Sequence, residues 1–224
     1  MPLKLASAVL DALAALSPVD CAGCGSADRG LCTDCRQALT PAVTPRQLSD
    51  GTTIFTALRY EGVARQTLIA LKESGRTDVA KALGLSFAPA LARAATPGAE
   101  IVAVPTSKAA WRRRGYDPVS LLCRKAGIEL ARVLVHDRAT VSQKTLGADD
   151  RASNLFESMR ARRPLHGRKF VLIDDVVTTG ATFFEAARAL REAGGEVVGG
   201  AALAFTPRIF GAQRALYGHS QNTP

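Results

Sequence analysis

The chain has 224 residues, 47% of them hydrophobic and 22% charged, which is enough for one well-filled α/β domain with a small appended module. No apolar stretch approaches the roughly 20 residues of a membrane-spanning helix, so a span is excluded. With 29 Lys and Arg against 20 Asp and Glu, the formal net charge of +9 favours polyanionic partners, either nucleic acid or phosphorylated small molecules.

In chain order, residues 1–16 read as an amphipathic surface or docking helix. Lys4 precedes the apolar run Leu5–Leu16, but Asp11 interrupts it and a cysteine cluster follows, not a cleavage site. A secretory signal is the alternative, and the localisation expected is cytoplasmic. Cys21, Cys24, Cys32 and Cys35 then form two CxxC pairs separated by seven residues. Each such pair makes a tight knuckle whose sulfurs converge, and two knuckles complete the tetrahedron of a structural Zn2+ closed to substrate. Gly25 suits the left-handed turn that faces backbone amides to the sulfurs, and the short gap leaves room for two stubby strands. A disulfide framework is the competing account; with one further cysteine and no convincing export signal it fits poorly. A redox CxxC would stand near a βαβ unit, and none lies here. Cys123, in an apolar run, reads as a small core residue.

Thr40–Thr53, with Pro41 and Pro45, reads as a linker. Alternating α/β pattern begins at Ile54: a strand over Ile54–Tyr60, helical spacing over Val63–Glu73 and Val79–Ala94, and a buried strand Ile101–Val104 ended by Pro105. A basic loop Thr106–Asp117 follows, then a helix over Pro118–Ala131, a short strand Val133–His136 and a mobile polar loop Asp137–Asp150. Phe170–Ile173 is a continuous apolar run, as in a central parallel strand covered on both faces. Phe183–Ala193 is helical and stopped by Gly194-Gly195, and Val197–Phe205 is another buried strand. The alternation predicts an open parallel sheet with helices on both sides. The expected organisation is residues 1–53 as N-terminal helix, zinc module and linker, 54–210 as the α/β domain, and 211–224 as a tail.

The chemistry concentrates in Val171–Thr182, Val-Leu-Ile-Asp-Asp-Val-Val-Thr-Thr-Gly-Ala-Thr. Ligands of open parallel sheets bind beyond the carboxyl ends of the strands, where Asp174 and Asp175 fall. Val176–Thr182 turns into a helix N-terminus, whose free amides and dipole attract phosphate. Gly180 allows close approach or positive φ, and Thr178, Thr179 and Thr182 add hydroxyl donors. One end attracts anions and the other offers carboxylates to hydroxyls or a metal, which is the polarity of a sugar phosphate. A Walker B reading lacks its GxxxxGK[ST] loop, and no dinucleotide-binding GxGxxG is present.

This segment resembles the ribose-phosphate signature of type I phosphoribosyltransferases nearly position for position. The wider pattern looks like the ComF (competence protein F-like) branch. It adds the four-cysteine module, Val104-Pro105 followed by Arg114-Gly115-Tyr116, and a run with Arg138, Thr140, Gln143, Leu146, Arg151 and Asn154. The resemblance implies a phosphoribosyl pyrophosphate ligand taken with Mg2+. In it Asp174 and Asp175 bind the ribose hydroxyls, and Val177, Thr178, Thr179, Gly180, Ala181 and Thr182 hold the 5′-phosphate. Pro105, Thr106 and Ser107 correspond to the pyrophosphate loop, with Arg114 as counter-charge. Thr140–Arg151 corresponds to a closing loop that offers Gln143 and Arg151, and Lys72 falls where the family tends to carry a basic residue. One departure stands out: the block usually continues Asn-Gln, and here reads Asp117-Pro118. Either Asp117 points away from the pyrophosphate or the loop has changed its role.

The activity implied is transfer of the phosphoribosyl group to an unidentified base or amine, through a transition state of oxocarbenium character. Tyr116 reads as a packing aromatic, and His136, His166 and His219 are too scattered to name a base. The alternative is a ligand-sensing or nucleic-acid-associated module linked to competence and DNA uptake. Its basic clusters would be Lys108–Arg114 and Arg160–Lys169.

Overall fold

A computed structural model describes residues 19–27, 30–48, 50–136 and 158–206. The helix expected over 1–16, the loop Asp137–Asp150 with Gln143, the neighbouring Arg151, and the tail 211–224 lie outside the described residues. The elements in chain order are α1 (Thr33–Ala38), β1 (Thr44–Gln47), β2 (Thr53–Arg59), α2 (Gly62–Glu73), a 3-10 turn Thr77–Val79 and α3 (Ala80–Ala94). There follow β3 (Ala99–Ala103), α4 (Lys108–Arg114), α5 (Pro118–Lys125), β4 (Leu134–His136), β5 (Met159–Ala161), β6 (Lys169–Val177), α6 (Ala181–Glu192) and β7 (Glu196–Phe205). Among the described residues no helix is long and apolar enough to cross a membrane.

Five strands form one sheet in the order β1-β2-β7-β6-β3, and β4 pairs with β5 in a separate two-stranded ribbon. The pairings of β2 with β7, β7 with β6 and β6 with β3 are parallel, as expected of an α/β fold. The sheet is nevertheless mixed, because β1 joins β2 antiparallel, Thr44 opposite Thr56 and Gln47 opposite Thr53. This corrects the linker reading of Thr40–Thr53. Pro45 sits in an edge strand, where a missing amide breaks no ladder, and Thr44, Pro45 and Gln47 are exposed.

Strand period and helix period meet in two cores. Val171 and Ile173 of β6 point to one face, with Leu68 and Leu71 of α2, Leu83 and Phe87 of α3 and Leu122 of α5. Phe170 and Leu172 point to the other, with Phe183, Ala186 and Leu190 of α6 and Met159 of β5. Alternate residues of one strand feeding two buried layers is why the run is apolar without interruption. Cys123 is buried in the first layer, and burial pushes its thiol up to about 12.

Three further expectations change. The basic loop holds a helix, α4, capped by Ser107, whose side chain accepts from the Ala110 amide, and closed by left-handed Gly115. It buries none of its residues, so no apolar stripe announces it. The helix expected over Pro118–Ala131 stops at Lys125, just before Gly127 at φ 73°. β6 runs on past Ile173 to Val177, because β7 continues alongside it with Ala202 opposite Asp174 and Phe205 opposite Val177.

Candidate functional site

Parallel strands bring distant segments to one sheet edge. Ala103 of β3 lies opposite Ile173 of β6, and the Val104 amide donates to the Ile173 carbonyl at 2.9 Å. The loop Pro105–Ser107 therefore leaves β3 beside Asp174 and Asp175. Pro105 and Thr106 are half-buried and Ser107 is exposed. His136 reaches this loop too, with Nε2 donating to the Pro105 carbonyl at 2.8 Å.

Asp174 and Asp175 are half-buried at the strand end. Asp174 Oδ1 accepts from the Asp175 amide at 2.8 Å. Burial holds the Asp174 carboxyl well above the usual carboxylate range, and the neighbouring Asp175 charge pushes the same way against the Asp175 amide and Lys72. Lys72, from the last turn of α2, places Nζ 2.7 Å from Asp175 Oδ1, both side chains being largely sheltered. A half-buried acidic pair with one lysine as counter-charge retains affinity for a cation or a set of hydroxyls.

After Val177 the chain turns through exposed Thr178 and Thr179 into Gly180, which caps α6 at φ 83°, ψ 0°. Among the described residues no side chain caps this twelve-residue helix; Thr179 Oγ1 makes only a long contact, 3.4 Å, with the Ala181 amide. Its first-turn amides are thus open to an anion. An alanine at 180 would have to hold the left-handed conformation, at about 1–2 kcal/mol, and its methyl would approach Leu48 Cδ2 at 2.9 Å. Gly180→Ala is expected to lower the melting temperature by several degrees, with Thr178→Ala as a near-neutral control, read by scanning calorimetry.

Arg114, the expected counter-charge for the pyrophosphate, is engaged at the end of α2. Its Nε donates to the Lys72 carbonyl at 2.7 Å and its Nη2 pairs with Glu73 at 3.0 Å. Hydrogen bonding from Arg114 holds the Glu73 carboxyl below its usual range. Asp117 is engaged by the fold through both oxygens. Oδ1 accepts from the Ser120 amide at 2.6 Å, capping α5, and Oδ2 accepts from the Thr106 hydroxyl. Asp117 therefore does not point away from the loop after β3; its carboxylate rests on Thr106. Lys72 is the residue whose importance the sequence understated, since its partner lies 103 positions away.

The second site is the cysteine cluster. All five cysteines are free thiols, and the ligand atoms of Cys21, Cys24, Cys32 and Cys35 lie within 4.8 Å of one another. The Cys24 and Cys32 sulfurs are 3.8 Å apart, the edge of a tetrahedron with metal–sulfur bonds of about 2.3 Å. Amides of Cys32 and Cys35 donate to the sulfurs of Cys21 and Cys32, each at 3.4 Å. Gly25 adopts φ 77° as the first knuckle requires. Among the described residues a single bridge, Asp20 with Ala27, stands in place of the expected stubby strands, and α1 carries the second knuckle. The cluster can hold a metal. Arg76 ties it to the domain, donating to the carbonyls of Asp20 (2.8 Å) and Gly30 (3.3 Å) while Asp78 grips the same guanidinium through two 2.9 Å bonds.

Comparison with known proteins agrees with this arrangement. The phosphoribosyl transferase domain family matches residues 82–216. DNA utilization protein YhgH of Escherichia coli strain K12 is 31% identical over 196 residues, covering 80% of this chain and 86% of that protein. Competence protein F of Haemophilus influenzae is 31% identical over 106 residues, covering 44% of this chain and 46% of that one. A solved orotate phosphoribosyltransferase from Aeropyrum pernix aligns over 76% of this chain and 78% of its own at 18% identity and TM-score 0.35, so the assignment rests on the sequence matches. With the acidic pair, the glycine turn and the four-cysteine cluster in place, the chain belongs to the phosphoribosyl transferase domain family, in its competence protein F-like branch.

Proposed function

We propose that this chain binds phosphoribosyl pyrophosphate with Mg2+ at the carboxyl ends of β3 and β6 and transfers the phosphoribosyl group to a base or amine. The observation that carries this reading is the junction of β6 and α6. A half-buried carboxylate pair meets, across one left-handed glycine, the N-terminus of a twelve-residue helix that no described side chain caps. The α6 amides and the hydroxyls of Thr178, Thr179 and Thr182 take the 5′-phosphate. Asp174 and Asp175 take the ribose hydroxyls and stabilise positive charge on the ring. Pro105, Thr106 and Ser107 line the pyrophosphate end, and Lys72 supplies a cation between the two. The acidic pair and the oxygens of the ligand fit Mg2+, which when bound neutralises the departing pyrophosphate. As an acceptor's lone pair forms the new bond at C1, the C1–O bond breaks and its electron pair leaves with pyrophosphate. Gln143 and Arg151 complete the proposed ligand set as parts of a closing loop.

The four-cysteine cluster is proposed to hold structural Zn2+, and clustered free thiols suit a reducing compartment such as the cytoplasm.

Calorimetric titration with phosphoribosyl pyrophosphate in Mg2+ tests the reading. Binding is expected in the wild type and absent in the Asp174→Asn, Asp175→Asn double variant; a wild type that binds nothing overturns it. Pyrophosphate release with a panel of bases and amines then separates transfer from sensing.

A second reading, association with single-stranded nucleic acid, is favoured by one feature. Trp111 is 55% exposed on α4 beside Arg112 and Arg113, at the rim of a cavity of about 400 Å³ that Arg124, Arg132 and Arg162 also line. An exposed aromatic with arginines around it is a stacking platform. YhgH is named for DNA utilization, and competence protein F for competence. Trp111 is the chain's only tryptophan, so its fluorescence is expected to quench on adding an oligonucleotide, with steep loss at higher salt. Unchanged fluorescence at low salt would remove this reading.

A further inference from the structure

We propose that Arg114 and Tyr116 are positioning residues, a clamp on the end of α2 that aims Lys72 at Asp175. An α-helix leaves its last carbonyls without partners. In α2 two of them are taken by side chains from beyond β3: the Tyr116 hydroxyl donates to the Leu71 carbonyl, and Arg114 Nε donates to the Lys72 carbonyl at 2.7 Å. Arg114 Nη2 adds the 3.0 Å pair with Glu73, and its side chain is only 13% exposed. Three successive residues of the helix end, Leu71, Lys72 and Glu73, are therefore held by one short segment.

That restraint matters because of what Lys72 must do. A lysine head group sits on a flexible four-carbon stem and carries large rotamer entropy. Its Nζ reaches Asp175 Oδ1 at 2.7 Å only while the last turn of α2 keeps its place. The same segment continues into Asp117, which accepts from Thr106 in the loop after β3 and caps α5 through the Ser120 amide. Residues Arg114–Asp117 thus set the spacing between the lysine side of the site and the loop side. Arg114 spends its Nε and one Nη2 hydrogen on the Lys72 carbonyl and Glu73, which fixes its guanidinium against the end of α2 and assigns this arginine to the frame. The consequence for ligand affinity rests on the phosphoribosyl reading; the consequence for Lys72 itself does not.

The test has one arm without ligand and one with it. In the first, the full-length protein is treated briefly with an amine-acylating N-hydroxysuccinimide ester, and modification of each lysine is read by mass spectrometry. Tyr116→Phe, which removes one hydroxyl, is expected to raise the labelling rate of Lys72 about two- to tenfold, the range of one lost hydrogen bond, with Lys81 and Lys169 unchanged. Equal labelling of Lys72 in wild type and variant overturns the clamp. In the second, affinity for phosphoribosyl pyrophosphate with Mg2+ is measured for wild type, Tyr116→Phe, Lys72→Met and the double variant. The clamp predicts that Tyr116→Phe weakens binding by a similar factor in the wild type and adds nothing once Lys72 is gone. An undiminished effect in the Lys72→Met background overturns it. Arg114→Gln is read the same way: a weakening that persists without Lys72 makes Arg114 a direct ligand and overturns its role as positioner. If the wild type binds no phosphoribosyl pyrophosphate, the phosphoribosyl reading falls and the labelling arm alone decides the clamp.

Discussion

Asp174→Asn is expected to raise the melting temperature of the ligand-free protein by several degrees while weakening its affinity for phosphoribosyl pyrophosphate with Mg2+ by about a hundredfold. Burial first, and then the Asp175 charge, lift the Asp174 pKa well above its ordinary value. The unfolded chain has no such shift, so ionising this carboxyl is less favourable in the folded state than in the unfolded one. Native stability therefore improves as pH falls through the raised folded pKa toward the unfolded one, and declines as pH rises. Asparagine keeps the size and the Oδ1 acceptor for the Asp175 amide, but removes the charge. The stability gap between variant and wild type should be widest above the raised folded pKa and close as the wild-type carboxyl becomes protonated. Ligand binding is expected to run the other way, tightening with pH, since in the proposed complex Asp174 loses its proton to meet the cation. A variant less stable than wild type across the whole pH range would contradict a raised Asp174 pKa.

Cys35→Ser is expected to lose the bound metal and to destabilise the fold by several kcal/mol, on the order of a large part of a domain's stability. Cys21, Leu31, Cys35 and Leu39 are buried in the same core as α2 and α3, so the module is not a free appendage. Its backbone is further held by Arg76 at Asp20 and Gly30, and the Ser86 hydroxyl donates to the Leu39 carbonyl at 2.7 Å. Losing the metal leaves a short segment with, among the described residues, one β-bridge and a six-residue helix, too little to stay ordered alone. Elemental analysis should find one zinc per chain in the wild type and none in the variant, with a calorimetric transition shifted to lower temperature. Treatment with a strong chelator should reproduce the shift. An unchanged transition after the metal is removed would show that packing alone holds the module.

What could be read from the sequence follows burial. Phe170–Ile173 is legible because residues alternating between two buried layers leave no polar position, and the acidic pair and glycine turn after it are chemically distinctive. β1 is not legible, since an exposed edge strand carries no apolar period and Pro45 argues for a loop. α4 hides for the related reason that none of its residues is buried, although Ser107 at its start and Gly115 at its end are proper helix boundaries. Partners far apart in the chain are the least legible. The ion pair of Lys72 with Asp175 and the bonds from Arg114 and Tyr116 to the end of α2 depend on the sheet bringing those segments together. Asp117 looks out of place in the sequence and is held by two hydrogen bonds in the fold.

The most direct test of phosphoribosyl pyrophosphate binding at the β6–α6 junction is a crystal structure of the zinc-loaded protein soaked with that ligand and Mg2+. The 5′-phosphate is expected on the amides of Thr178–Thr182, the ribose hydroxyls at Asp174 and Asp175, and the pyrophosphate along Pro105–Ser107. Ligand density that avoids the β6–α6 junction, or density only in the arginine-lined cavity beside Trp111, would contradict it.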